Sequence, residues 1–190
     1  MSRRALGVLA VVTFAALAVA VIGAEIDQSG HALPLTEAAV IREQAAAKHL
    51  DPALIAAVIY AESKFDPRPS PAGAQGLMQI LPQTALYIAR LSGGVRFTTR
   101  DLATPSVNVA YGSYYLRYLL DHYNGNEMLA LAAYNGGVSN VDSWLAQAGA
   151  ERRSLTLASI PFGETRAYVQ RVLHAQRAYR AAYSRELGLA

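Results

Sequence analysis

From residue 36 onward the apolar positions recur at helical spacing, and no stretch alternates cleanly at period two. The pattern predicts helices over 36–49, 51–65, 82–91, 104–124, 127–135, 138–147 and 163–183. Their punctuation is explicit. Asp51-Pro52 pairs an N-cap residue with proline at the first helical position, and Thr104-Pro105 repeats that start signal. Pro67, Pro69 and Pro71 stop the second helix, Ser92-Gly93-Gly94 the third, Gly125-Asn126 the fourth and Gly136-Gly137 the fifth. Residues 95–100 are read as a short extended piece. The expected class is all-α, without internal repeats or low-complexity segments.

One polar residue breaks this pattern. In the 51–65 helix Leu54, Ile55, Val58, Ile59, Ala61 and Phe65 are expected on one face, and Glu62 projects between Ile55 and Val58, while Tyr60, Ser63 and Lys64 take the other side. A carboxylate on a core-facing stripe either has a raised pKa or opens onto a polar cleft. Either outcome suits a general acid. The plain alternative is a solvated glutamate where the helix leaves the core.

Composition narrows the classes. The 190 residues open with Arg3-Arg4 and an uncharged run over 5–24, read as a signal peptide or a signal anchor, with small-residue cleavage sites at Ala20 and Ala24. A polar linker over 25–35 and one domain over 36–185 follow, and the domain is expected outside the cytoplasm, with membrane contact only through 5–24 if that run is retained. The absence of cysteine excludes disulfides, an N-terminal lipid anchor, thiolate metal sites and a cysteine nucleophile. Beyond Arg4 there are 15 basic and 14 acidic residues, no footprint for nucleic acid. Arg166, Arg171, Arg177, Arg180 and Arg185 make the C-terminal stretch the most basic region, a solvated face with a weak attraction to anionic polymers. His31, His49, His122 and His174 are scattered without ligand spacing, so no metal or cofactor is expected.

Four blocks occur in order: Ala61-Glu62-Ser63, Ser70-Pro71-Ala72-Gly73-Ala74-Gln75-Gly76-Leu77-Met78-Gln79, Ala132-Ala133-Tyr134-Asn135-Gly136-Gly137 and Glu164-Thr165-Arg166-Ala167-Tyr168-Val169. Together they resemble the soluble lytic transglycosylase family, and the likeness covers roughly residues 36–180. Asn108, Gly112 and Tyr115-Leu116 also resemble that family's signature in the central helix. The loop from Glu62 to Ser70 is one residue shorter than is usual there.

The resemblance implies a goose-type lysozyme-like fold that cuts peptidoglycan glycan strands. It makes Glu62 the catalytic acid and Ser70, Met78, Gln79, Tyr134, Asn135, Glu164 and Tyr168 the candidate substrate-binding residues. Met78 and Gln79 would line the cleft, although a core methionine is the commoner role. Tyr134 and Asn135 would lie near Glu62 and the substrate's N-acetyl group. Glu164 and Tyr168 stand one helical turn apart, on a helix that would close one side of the site, yet Glu164 equally suits a helix N-terminus. Ser63 is equally a helix-end hydroxyl. Tyr111, Tyr114, Tyr115 and Tyr118 form a stripe that stacks sugars or, more commonly, fills the core.

Glycoside hydrolysis normally needs two carboxylates, and the motifs supply one. The resemblance implies that the substrate's N-acetyl oxygen takes the second role and that a 1,6-anhydro ring closes without water. Two rivals are a hydrolytic muramidase on the same fold, with Asp66 or Asp101 placing a water, and an inactive glycan-binding scaffold. Peptidoglycan is the expected partner, and a secretion or conjugation complex of the envelope a candidate second one.

Overall fold

The computed structural model describes residues 33–93, 96–150 and 154–189; the expected export segment (1–24) and most of the expected linker (25–35) lie outside them. Among the described residues there are seven α-helices: α1 Ala38–Lys48, α2 Pro52–Ser63, α3 Pro82–Ser92, α4 Pro105–His122, α5 Glu127–Gly136, α6 Val138–Ala150 and α7 Gly163–Ala182. Two 3-10 turns, Thr99–Ala103 and Leu157–Ser159, and one isolated bridge between Gln75 and Ile80 complete the regular structure. The class is all-α, as the periodicity predicts.

α2 is the axis of the domain. Each residue from Ala53 to Ile59 is at most 1% exposed, so the helix has no solvent side over these two turns. This corrects the expectation of a one-sided apolar stripe: a helix that is apolar all round belongs inside a core. α1 and α7 pack against α2, α4 packs on α1 and α5, and α5 also meets α6 and α7.

Asp51 fixes both the start of α2 and its register on α7. Its Oδ1 accepts from the Ala53 amide at 2.9 Å, and its Oδ2 accepts from Gln176 Nε2 at 2.8 Å and from Arg180 at 2.7 Å. The two helices therefore run antiparallel, with the C-terminal half of α7 beside the start of α2. Tyr179 Oη donates to the Pro34 carbonyl at 2.6 Å and Tyr183 Oη to that of Leu33, which ties the beginning of the described chain to the end of α7.

α2 stops at Ser63, two residues before its expected end. Lys64 and Phe65 both take left-handed backbone (φ 51° and 66°), and the Lys64 amide closes the helix on the Tyr60 carbonyl. The chain turns sharply there. The expected extended piece at 95–100 is also corrected in its described part: a Thr98–Asp101 capping box starts the 3-10 turn, and a local capping network outweighs the weak strand signal. Among the described residues no helix is long and apolar enough to cross a membrane.

α4 crosses the 75–80 segment at Gly112. A β-carbon on Gly112 would lie 2.3 Å from Met78 Sδ and 2.8 Å from Met78 Cβ, and Met78 has no exposed surface into which it can retreat. Glycine to alanine within a helix ordinarily gains up to about 1 kcal/mol. Here overpacking reverses the sign, and Gly112→Ala is expected to lose roughly 1–3 kcal/mol. Urea unfolding followed by circular dichroism measures this, and an unchanged or raised midpoint would contradict the close approach.

Candidate active site

The site is assembled on the short segment Gln75–Gln79, whose backbone is gripped by side chains from three helices. From α4, the fully buried Asn108 accepts from the Met78 amide at 2.8 Å and donates to the carbonyls of Gln75 at 2.8 Å and Leu102 at 3.1 Å. From the end of α2, Ser63 Oγ donates to the Leu77 carbonyl at 2.8 Å. From the end of α5, Tyr134 Oη donates to the Met78 carbonyl at 2.9 Å. Gly76 admits the Asn108 amide at this range: it has φ +74°, and a β-carbon there would sit 2.2 Å from Asn108 Nδ2.

Glu62 occupies the last turn of α2, one residue before Ser63. It is only half-buried, yet protein surrounds it closely enough that loss of hydration pushes its carboxyl from 4.5 up to about 7. Two groups oppose that shift and are outweighed, the Tyr168 hydroxyl as a donor and the Arg171 guanidinium as a positive charge. Tyr168, on α7, is 2% exposed, and its hydroxyl closes no hydrogen bond of full geometry, although it faces Glu62 closely enough for each to bias the other's proton. Arg171 lies one turn further along, 5.9 Å from the centre of the Tyr168 ring. Burial and the charge of Glu62 hold the Tyr134 and Tyr168 hydroxyls well above the usual phenol range. Both therefore remain donors at neutral pH. The constellation is one carboxylic acid at the border of protonation between two neutral phenols.

Asn135 borders this group at the end of α5. Its Oδ1 accepts from the buried Thr165 hydroxyl of α7 at 2.8 Å, which leaves the amide NH2 of this exposed residue free to donate. On the flank, the Tyr134 ring lies 5.5 Å from Tyr115, which stacks on Tyr118 at 6.2 Å. Tyr118 meets Tyr87 of α3 edge-on at 6.0 Å. Tyr111 instead stacks on Phe97 at 4.3 Å.

The structure thus brings Glu62, Tyr134, Asn135 and Tyr168 to one place, with Gln79 on the gripped segment. Gln79 has φ 46°, and its Nε2 donates to the carbonyls of Gly76 at 2.7 Å and Arg68 at 3.0 Å. Ser70 closes the preceding turn, its Oγ accepting from the Ala74 amide at 3.1 Å. Met78 departs from expectation: its side chain is wholly buried against Gly112, and only its backbone takes part in the network. Glu164 is exposed in the first turn of α7 and makes no hydrogen bond or ion pair among the described residues. Thr165, which bonds Asn135, and Arg171, whose charge acts on Glu62, join Tyr168 on that helix, and neither was expected at the site. Both stand three residues from Tyr168, a spacing that shares a face as readily as the four residues from Glu164.

The carboxylates of the hydrolytic rival are engaged elsewhere. Asp66 pairs with Arg68 at 2.6 Å, and Asp101 accepts from the Thr98 amide at 2.7 Å in its capping box. The charge that acts on Glu62 is that of Arg171, and no second carboxylate among the described residues acts on it. Among the described residues no group of three His, Cys, Asp or Glu side chains stands close enough to hold a metal ion.

A helical domain with a lone desolvated acid at the end of its central helix is the architecture of the lysozyme-like class, goose type, and solved structures of that class superpose on it. The crystal structure of the 70 kDa soluble lytic transglycosylase of Escherichia coli matches 78% of this chain and 25% of its own, with TM-score 0.73 and 33% identity. An inactive glutamate-to-glutamine mutant of the lytic transglycosylase Slt of Pseudomonas aeruginosa matches 78% of this chain and 24% of its own, with TM-score 0.72 and 36% identity. The family of the transglycosylase SLT domain matches residues 39–156, and the chain belongs to it. Among curated relatives, the soluble lytic murein transglycosylase of Escherichia coli (strain K12) is 31% identical over 157 residues, 81% of this chain. The chain spans about a quarter of the length of that relative.

The raised pKa of Glu62 carries a stability signature. Between pH 4.5 and 7 the folded protein holds a proton that the unfolded chain has released, so stability falls as pH rises through that window, and the loss is complete above 7. Glu62→Gln removes this penalty. At pH 8 it is expected to be more stable than wild type by about 1–3 kcal/mol, and at pH 4 to show no such gain. Paired thermal melts at the two pH values test this; an equal shift at both would place the cause outside ionisation.

Proposed function

We propose that this protein is a lytic transglycosylase of peptidoglycan, cleaving the β-1,4 bond from N-acetylmuramic acid to N-acetylglucosamine without water. The observation that carries the reading is Glu62, a carboxyl near pKa 7 on which no second carboxylate among the described residues acts. The family assignment and the lytic murein transglycosylase relatives support the substrate class.

In the first step protonated Glu62 gives its proton to the glycosidic oxygen as the C1–O bond breaks. The muramoyl N-acetyl oxygen bonds to C1 and spreads the positive charge over an oxazolinium ring. The exposed Asn135 amide is the donor available to orient that N-acetyl group, while Tyr134, whose proton is given to the Met78 carbonyl, holds the adjoining backbone. In the second step the Glu62 carboxylate removes the proton of the C6 hydroxyl, O6 bonds to C1, and the oxazolinium C1–O bond opens to restore the N-acetyl group. Glu62 ends protonated, and the product ends in a 1,6-anhydromuramoyl residue, so proton and atoms balance without water. A carboxyl near pKa 7 is suited to both halves, since it gives and takes its proton at similar cost. The engagement of Asp66 and Asp101 in other contacts weighs against the muramidase rival, and an intact Glu62 against the scaffold.

The reading places the domain outside the cytoplasm, where its substrate is, in agreement with the Arg3-Arg4 and apolar 5–24 signal. A secretion or conjugation complex stays the candidate partner to be sought by crosslinking in intact envelopes.

Glu62→Gln is expected to fold and to lose activity on glycan strands by about 10²-fold or more. Wild-type fragments made in heavy-oxygen water should end in unlabelled 1,6-anhydro-N-acetylmuramic acid. Label at the new ends would establish hydrolysis, and wild-type turnover by Glu62→Gln would remove the acid from the mechanism. Wild-type turnover itself should decline as pH rises past about 7, where the acid loses its proton.

Thr165 supplies a second test, as a positioning residue that acts through Asn135. Thr165→Val keeps its shape and removes the donor that fixes the Asn135 amide, so kcat is expected to fall about tenfold or more, with KM changed less. Thr165→Ser should restore most of it. Equal loss in the Val and Ser variants would assign Thr165 to packing alone.

A further inference from the structure

α3 and its flanks carry a surface that the catalytic reading does not use. Of the five large hydrophobic side chains that stand exposed among the described residues, four belong here: Leu81, Leu86, Tyr87 and Leu91, each 39–46% exposed. On the helical wheel Leu86, Tyr87, Arg90 and Leu91 share one arc, opposite the buried Ala85, Ile88 and Ala89. α3 is held from behind by α4 and by the Thr99–Ala103 turn, Tyr87 also meets Tyr118 of α4, and Leu86, Arg90 and Leu91 stand exposed on the outer face.

The charge around this ridge has one sign. Between Asp66 and Asp101 the chain has no acidic residue and four arginines. Arg68 is paired with Asp66, whereas Arg90, Arg96 and Arg100 are exposed and enter no ion pair among the described residues. Arg90 lies within the apolar arc, and Arg100 stands on the turn that packs against α3. In a chain with 15 basic and 14 acidic residues beyond Arg4, this separation is local and not a consequence of overall charge.

We propose that this face rests on an anionic phospholipid surface, with Leu86 and Leu91 entering the headgroup boundary and Arg90, Arg96 and Arg100 meeting lipid phosphates. The chemistry favours lipid over an acidic protein or a glycan. The ridge is mainly aliphatic, and long arginine stems flank apolar surface while their heads reach polar groups. Proximity also favours it: the expected linker, residues 25–35, spans at most roughly 40 Å when extended, so a retained 5–24 anchor would keep the domain near the bilayer. That clause rests on the export reading, while the charge and the exposed ridge do not.

The chain has no cysteine, which makes single labelling clean. Full-length Leu91→Cys, carrying an environment-sensitive thiol dye, is incorporated into vesicles of phosphatidylcholine with or without phosphatidylglycerol; the exposed Gln170→Cys on α7 is the control. The expected result is a blue shift at position 91 with phosphatidylglycerol and none at 170. In the Leu91→Cys background each of Arg90→Gln, Arg96→Gln and Arg100→Gln should lower the shifted-to-unshifted ratio at subsaturating phosphatidylglycerol, by about fivefold if each arginine has the usual worth near an anionic surface. The triple arginine variant should cut detergent-solubilised glycan strands at the wild-type rate. An equal shift in neutral vesicles would reduce the contact to tethering, and no shift would abolish it. A shift that grows with protein concentration without vesicles would assign the face to a second copy. Loss of soluble glycan cleavage in the triple variant would return the face to the catalytic cleft; each of these results overturns the proposal.

Discussion

The buried amide of Asn108 is the contact on which the site depends. It satisfies three backbone groups, the Met78 amide and the Gln75 and Leu102 carbonyls, in a place without exposed surface. Left unmade, such bonds cost far more than they gain when made, because the orphaned groups have no water to turn to. The segment they hold is then gripped by Ser63 and Tyr134 at its neighbouring carbonyls. Ser63 adjoins Glu62 and Tyr134 adjoins Asn135, so the same backbone that Asn108 fixes sets the spacing of the acid, the phenol and the amide.

The protonation of Glu62 follows from competition within this frame. Desolvation raises its pKa, while Tyr168 and Arg171 lower it, and desolvation prevails. Had a carboxylate stood beside it, two linked titrations would describe the site instead of one.

The contact between α2 and α7 carries that geometry across the domain. At one end Asp51 accepts from Gln176 and Arg180; at the other Glu62 meets Tyr168 and Arg171. Both ends belong to one antiparallel pair, so the register that the N-cap residue fixes at one end also decides which side chains of α7 face the acid at the other. This is how Thr165 comes to touch Asn135 while Glu164, one residue earlier, stands in solvent.

The sequence by itself determined the all-α class, because helical periodicity and Pro/Gly punctuation are local properties. It also marked Glu62 as out of place, because a glutamate beside Ile55 and Val58 conflicts with the pattern around it. Its ordered motifs singled out Tyr134, Asn135 and Tyr168, which the fold brings to that acid. Only the tertiary structure decided that α2 is buried on all sides, since this depends on what packs around a helix and not on its own spacing. It alone decided that Met78 faces Gly112 in the core, that Asp66 and Asp101 enter local contacts, and that Thr165 meets Asn135 and Arg171 acts on Glu62 while Glu164 is exposed. Each of those outcomes turns on the angle at which one helix meets another, and a rotation of a single residue step, about 100°, exchanges the side chain in the site for its neighbour.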